Sequence, residues 1–296
     1  MTPIVEMRDV HVRFKGERTV HALNGVDITL KQGEVLGLLG ESGSGKSVTL
    51  RALMRMLPPK RSEITGTIRV GDKDVVAMND VELETLRGGI VSMIFQEPML
   101  ALDPVYTIGD QIAETVVRHK GVSWAEGRQR AMIALALSCK PQVLLADEPT
   151  TALDATVQIQ ILLLLRELQR EMGMAVIFVT HDIGVAVEIS DRIAVMYGGR
   201  IVETGTLRDV VKTPTHPYTR GLLSSTVIGG VRGTKLDTIP GAPPRLDRLP
   251  QGCAFAPRCK LVEPVCREGE IADRVLAPGR SVRCVKAGAA VSVVPA

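Results

Sequence analysis

The sequence predicts an α/β fold: a mainly parallel β-sheet flanked by helices, followed by a loop-rich C-terminal extension. Three observations predict it. Short apolar runs alternate with amphipathic stretches of helix length as far as residue 205. A glycine-rich turn at residues 40–47 joins one apolar run directly to a helix. Apolar residues make up 45% of the 296 positions and aromatics only 3%, so a sizeable core must be built from aliphatic side chains.

The elements follow in order. "VEMRDVHVRF" (5–14) and "HALNGVDITL" (21–30) alternate apolar and polar residues, as half-buried strands do. "EVLGLLG" (34–40) is short and apolar, which predicts a buried strand. In "KSVTLRALMRML" (46–57), Val48, Leu50, Leu53, Met54 and Leu57 fall at helical spacing, and Pro58-Pro59 supplies a stop. "EITGTIRVGDKDVV" (63–76) and "IVSMIFQ" (90–96) read as strands. Residues 107–139 read mostly as helix with a break near Gly121, and Cys139 falls there as a core residue. "PQVLLAD" (141–147) is a buried strand. From Thr156, the residues Val157, Ile161, Leu164, Leu165, Leu168 and Met172 share one helical face. "GMAVIFVTHD" (173–182) is another buried strand, and "DRIAVMYGGRIVETG" (191–205) is a hairpin turning at Gly198-Gly199. Beyond it Pro and Gly become frequent. This divides the chain into a domain at 1–205 and an extension at 206–296 with little regular structure.

Composition narrows the function. A formal charge of +3 gives no electrostatic reason to expect nucleic acid as a partner. No apolar run is long enough to span a bilayer. The N-terminus "MTPIVEMRDV" lacks the apolar core of a signal peptide, so the chain is expected in the cytosol. In that compartment five cysteines point to metal binding or packing rather than disulfides.

"GESGSGKS", Gly40–Ser47, satisfies G-x-x-x-x-G-K-[ST] between a strand and a helix. Backbone N–H groups of Gly40, Glu41, Ser42, Gly43, Ser44 and Gly45 are expected to cradle phosphates. The helix N-terminus adds its positive dipole end. Lys46 is expected to reach the β- and γ-phosphates and Ser47 to supply a hydroxyl to Mg²⁺. In "VLLADE", Asp147 ends a strand where it can hold Mg²⁺ through water, and Glu148 can polarise the attacking water. A bare glycine turn and an ordinary helix cap are the alternative readings, and the two motifs together disfavour both.

With these motifs on the same chain as "IFQEP", "TALD" and "FVTHD", the sequence closely resembles the ATP-binding subunits of ABC transporters, nearly end to end. The resemblance implies a P-loop NTPase fold of the ABC type, in which an antiparallel β subdomain adds to the mainly parallel sheet, with ATP and Mg²⁺ as cofactors. It implies that Phe14 stacks on the adenine and that Gln96 touches Mg²⁺ and senses a membrane subunit. Asp147 is then the metal-binding aspartate and Glu148 the catalytic glutamate. Asp154 closes the D-loop, and His181 contacts the γ-phosphate. "ALDPVYTIGDQIAE", "THPYTRGLL" and "IPGAPPRLDRLPQGCAF" resemble the oligopeptide, dipeptide and nickel importer branch. That branch implies four kinds of partner or setting: a second, related ATPase subunit, two membrane permease subunits, an extracytoplasmic solute-binding protein, and a peripheral place on the cytoplasmic face of the inner membrane. An ABC-type ATPase acting on nucleic acid or ribosomes is disfavoured by the single nucleotide domain, weak charge and importer-type tail.

Two features depart from a plain reading. Cys253, Cys259, Cys266 and Cys284 are spaced C-x5-C-x6-C-x17-C, unlike the close pairs of zinc fingers. Some members of the branch hold a [4Fe–4S] cluster on a similar set, and four thiols packed in a loop-rich tail are the other reading. No S-G-G stands between Gln96 and Asp147. The family's LSGGQ-like signature belongs there, directly before a helix such as "RQRAMIALAL", Arg128–Leu137. The interval is roughly 30–40 residues shorter than the family pattern, the size of a helical hairpin. This predicts a shortened helical subdomain: the chain's own ATP site is intact, and the partner's lacks the signature donors. A nucleotide-binding but transport-incompetent remnant is the alternative.

Overall fold

The computed structural model describes residues 2–95, 113, 117, 123–150, 153–225 and 238–287. These residues form two sheets. In the smaller, β1 (Val5–Phe14), β2 (Val20–Leu30), β4 (Ser62–Val70) and β5 (Lys73–Asp74) run antiparallel in the order β2-β1-β4-β5. The larger begins with β3 (Val35–Leu39), β6 (Val91–Ile94), β7 (Val143–Asp147), β8 (Ala175–Thr180) and β9 (Arg192–Tyr197). It is completed by β10 (Arg200–Thr206), β11 (Arg274–Ala277) and β12 (Arg280–Val282), in the order β11-β12-β10-β9-β3-β8-β7-β6. From β6 through β7, β8 and β3 to β9 the pairing is parallel, and from β9 outward it is antiparallel.

Every residue of β3, β7 and β8 is buried, because both faces of the parallel sheet are covered. Leu36, Leu38, Leu145, Ile177 and Val179 face the antiparallel sheet and α1 (Lys46–Leu53). Their neighbours Val35, Leu144, Val176 and Phe178 face Ile133 of α3 (Trp124–Leu137) and Ile161, Leu162 and Leu165 of α4 (Ala155–Met172). The capping box of Asn79 and Glu82 opens α2 (Asp80–Leu86), which adds Leu83 and Leu86 to the first core. The hairpin turn at Gly198-Gly199 has both residues at positive φ, 56° and 77°, as a tight two-residue turn requires.

Helix ends differ from expectation for local reasons. α1 stops at Leu53, well before Pro58, because Arg55 turns left-handed (φ 49°). Arg87 then donates to the carbonyls of Met54 and Arg55 at 3.0 and 2.7 Å, closing that end. α3 starts at Trp124, so the residues just before Arg128 are already helical. Lys140 (φ 49°) donates to Leu137 O and ends it, leaving Cys139 exposed beyond the helix rather than in the core. Of the earlier part of the expected helix, Ala113 and Val117 are described, both helical, and the other residues up to 122 lie outside the described residues.

The extension is more regular than its Pro and Gly content suggests. A capping box of Thr206 and Asp209 opens α6 (Leu207–Lys212), and His216 caps α7 (Pro217–Ser224) with Pro217 at the first turn. The β11–β12 hairpin is satisfied by the sheet itself: Glu203 pairs with Val282 and Thr204 with Ser281. Between Ile183 and Ile189, α5 connects β8 to β9. No described helix is long and apolar enough to cross a membrane.

Candidate nucleotide-binding site

β3 delivers the chain into residues 40–45, and α1 opens at Lys46. Two glycines are dictated by space. A Cβ on Gly40 would lie 2.3 Å from Met196 O, and one on Gly45 (φ 110°) 2.8 Å from Ala22 O. Lys46 Nζ donates to Gly40 O at 2.8 Å and Glu41 O at 3.0 Å, which holds the ammonium over the loop. Burial lowers the Lys46 pKa, while Glu148, Asp147 and Glu41 push it back up. The Ser44 hydroxyl is buried and has no hydrogen-bond partner among the described residues. Such a donor suits an anion oxygen.

Ser47 Oγ donates to Asp147 Oδ1 at 3.0 Å, so the hydroxyl and carboxylate expected on one metal ion are adjacent. Burial raises the Asp147 pKa first and the Glu148 charge adds to it, while Ser47, Arg51 and Lys46 oppose. The next residue, Glu148, sits at φ 45°, and its N–H donates to Val179 O at 3.0 Å. A non-glycine residue held left-handed costs on the order of 1–3 kcal/mol and persists only where its surroundings fix it. Glu148 Oε1 lies 3.2 Å from Nδ1 of His181, which follows β8. A carboxylate so placed can take a proton from water, and the exposed imidazole can meet a phosphate.

The other expected site residues fall in different places. Phe14 is half-buried at the end of β1, paired with Val20, and β2 runs on from there to Ala22 beside Gly45. Asp154 is the N-cap of α4, accepting from Thr156 N and Val157 N at 3.1 and 3.0 Å. Gln96 lies outside the described residues. Gln129 of α3 donates to Pro149 O and so ties that helix to the segment after Glu148.

Sequence reasoning missed the part played by the extension. Glu203, itself buried, accepts from Thr215 N and His216 N at 2.7 and 2.9 Å. His216 Nδ1 then accepts from Tyr218 N at 3.0 Å, and burial holds the imidazole pKa down to about 3, so it is a neutral cap. This arrangement aims Tyr218 at the phosphate loop, where its hydroxyl accepts from Glu41 N at 2.9 Å. Arg258 reaches the same residue, with Nη1 and Nη2 donating to the Glu41 carboxylate at 2.7 and 3.1 Å. A cleft of about 680 Å³ has Gly40, Glu41, Ser42, Glu148 and His181 on one wall and Leu222, Ser225, Thr238 and Ile239 of the extension on the other. "THPYT" and "IPGAPPRLDRLPQGCAF" were the sequence signals of this, and neither says what Tyr218 or Arg258 touches.

Cys253, Cys259, Cys266 and Cys284 line one small cavity. Backbone N–H groups of Phe255, Leu261 and Lys286 point at three of the sulfurs. The arrangement nevertheless does not support the expected metal site. Among the described residues no group of three His, Cys, Asp or Glu side chains stands in metal-holding geometry. The cavity of about 20 Å³ suits one water, not a four-iron cluster. Without a metal, burial raises the thiol pKa of Cys253, Cys259 and Cys284 and favours their protonated form.

Comparison with known proteins bears on the same residues. The family described as ABC transporter matches residues 23–151, and that described as oligopeptide/dipeptide transporter, C-terminal region, matches residues 202–266. The dipeptide transport ATP-binding protein DppD of Bacillus subtilis is 41% identical over 316 residues, covering 96% of this chain and 92% of the relative. The oligopeptide transport ATP-binding protein OppD of Salmonella typhimurium is 42% identical over 315 residues, covering 96% and 93%. The chain belongs to the ABC transporter ATP-binding subunits, in their oligopeptide/dipeptide family. The solved ATP-binding cassette MJ0796, bound to ADP and Pi as a dimer, is similar in fold: TM-score 0.58, 27% identity, 69% of this chain and 99% of that one. CbiO1 of Clostridium perfringens matches with TM-score 0.58 at 25% identity, covering 72% of this chain and 92% of its own.

As an ABC ATPase, the chain binds and hydrolyses ATP, and the geometry fits that ligand. The loop has the backbone room that Gly40 and Gly45 provide, an unpartnered Ser44 hydroxyl and a fixed ammonium. Ser47 and Asp147 form an oxygen pair of the kind Mg²⁺ takes.

Proposed function

We propose that this ABC ATPase powers import of di- or oligopeptides, or of related small solutes, into a bacterial cell. It works as a peripheral subunit on the cytoplasmic face of the membrane. Its partners are a second, related ATPase subunit, two permease subunits and, through them, an extracytoplasmic solute-binding protein. One observation carries this reading: the segment matched to the oligopeptide/dipeptide transporter C-terminal region supplies Tyr218 and Arg258 to the phosphate loop. The extension at 206–296 thus serves the domain at 1–205 rather than standing apart from it.

Within the site, Lys46 and the loop amides hold the phosphates, and Phe14 supports the adenine. Ser47, Asp147 and Gln96 hold Mg²⁺. Glu148 orients and deprotonates the attacking water, with His181 beside it at the γ-phosphate. Asp154 belongs to the contact with the partner ATPase.

The chain contributes a complete phosphate site to that pair but no signature motif. Support comes from the missing S-G-G between Gln96 and Asp147. The alignments with the relatives, at 316 and 315 positions, are longer than this 296-residue chain, so the relatives carry residues at some place without a counterpart here. The site built on this chain's loop is completed by the partner's signature, and the partner's own site is weakened. Losing one preorganised donor costs about 3–4 kcal/mol, about 10²–10³ in rate.

Co-expression with the neighbouring permease and ATPase genes tests this. Expected are ATP hydrolysis and peptide uptake that are both lost with Glu148→Gln. A complex that assembles but takes up nothing would sink the import reading and leave a nucleotide-binding remnant.

A further inference from the structure

We infer that Arg258 and Tyr218 are positioning residues for the phosphate loop, acting through Glu41, so that the C-terminal extension sets nucleotide affinity. This rests on residues 40–47 being the ATP loop. Glu41 is held twice. Its N–H donates to the fully buried Tyr218 hydroxyl at 2.9 Å, and both carboxylate oxygens accept from the buried Arg258 guanidinium at 2.7 and 3.1 Å. Arg258 is itself anchored, donating to Pro240 O at 2.8 Å and to Tyr197 Oη at 3.1 Å. A bidentate pair of this kind fixes direction as well as distance.

The link to chemistry is one carbonyl. Glu41 O is one of the two acceptors that hold Lys46 Nζ, the other being Gly40 O next to it. Moving Glu41 therefore moves the ammonium that meets the phosphates. On the other side, Arg258 ends a short turn, Ala256–Arg258, whose amides are tied to Cys253 O and Phe255 O, and Cys259 follows directly. By reciprocity, nucleotide that favours the clamped loop must also stabilise this turn by the same factor.

The test uses the full-length protein, with Mg-ATP and Mg-ADP as probes, and the variants Glu41→Gln, Arg258→Lys and Tyr218→Phe. Nucleotide affinity is expected to fall roughly tenfold in Glu41→Gln and Arg258→Lys, and less in Tyr218→Phe. Hydrogen exchange supplies a readout that simple destabilisation does not move. Nucleotide is expected to slow exchange at residues 256–259 in the wild type and to leave it unchanged in Glu41→Gln. If Arg258→Lys fails to fold, Glu41→Gln, altered on the loop side only, carries the test. Wild-type affinity together with wild-type exchange protection in Glu41→Gln overturns the inference. A wild-type chain that binds neither nucleotide overturns the loop reading on which it stands.

Discussion

Ser47 and Asp147, 100 positions apart, meet at 3.0 Å across the carboxyl ends of β3 and β7, with β8 between them. The pair presents a hydroxyl and a carboxylate to one point in space. Asp147→Asn keeps the size and an acceptor but removes the charge a divalent ion needs. The enhancement of nucleotide binding by Mg²⁺ is expected to disappear in this variant. Titration with a fluorescent ATP analogue, with and without Mg²⁺, checks it; an unchanged enhancement would remove Asp147 from the metal site.

Glu148 offers a separable effect. Glu148→Gln retains the left-handed backbone problem and the side-chain size but loses the proton acceptor. Phosphate release, measured with the partner ATPase present, is expected to fall by about 10²–10⁴ while ATP binding persists. Equal losses of binding and turnover would mean that Glu148 is structural.

The loop glycines can be told apart. Both glycines sit at positive φ, 110° at Gly45 and 76° at Gly43, but Gly45→Ala also places a Cβ 2.8 Å from Ala22 O, whereas a Cβ on Gly43 meets nothing within 4 Å. Gly45→Ala is expected to lower stability by about 1–3 kcal/mol and to do so more than Gly43→Ala. Thermal unfolding of the two variants gives the comparison, and equal shifts would refute the steric argument.

His216 predicts a pH dependence. Its pKa is lowered from 6.5 to about 3, by burial first and then by the Arg220 charge. Around the ring lie Tyr218 N, Phe255 and the thiols of the cysteine cavity. Above about pH 6.5 the imidazole is neutral in both folded and unfolded chains and adds no pH dependence. As pH falls from there towards 3, the unfolded chain takes up a proton that the folded chain refuses. Stability therefore drops across this window, by about 1.4 kcal/mol per pH unit for one proton. His216→Asn keeps a capping side chain without the titration. Its stability is expected to vary less with pH between 4 and 6 than that of the wild type, and parallel curves would contradict this.

The thiol cavity makes a further prediction. Four thiols, one buried and three half-buried, around the space of one water should label slowly with alkylating reagents and give a colourless protein after anaerobic purification. A brown, iron-containing product would show that the cavity opens to take a cluster.

Much of the α/β domain was legible because its signals are local. Alternation in residues 5–14 and the uniform apolar runs of β3, β7 and β8 report burial directly. The phosphate loop and the Asp147-Glu148 pair were legible because spacing alone specifies them. Helix ends were less so: α1 is closed by Arg87, distant in sequence, and α3 by the left-handed turn of Lys140. The extension was least legible. Its order comes from long-range partners, such as β12 on β10 and Arg258 on Glu41, which composition cannot show.

The same separation has a consequence during synthesis. Glu41 is made 217 residues before Arg258, and the edge of β10 waits for Val282. A chain still on the ribosome thus carries a phosphate loop without its clamp and a sheet with an open edge. Translation that stops short of the extension leaves the ATP-binding motif whole in sequence and unsupported in space.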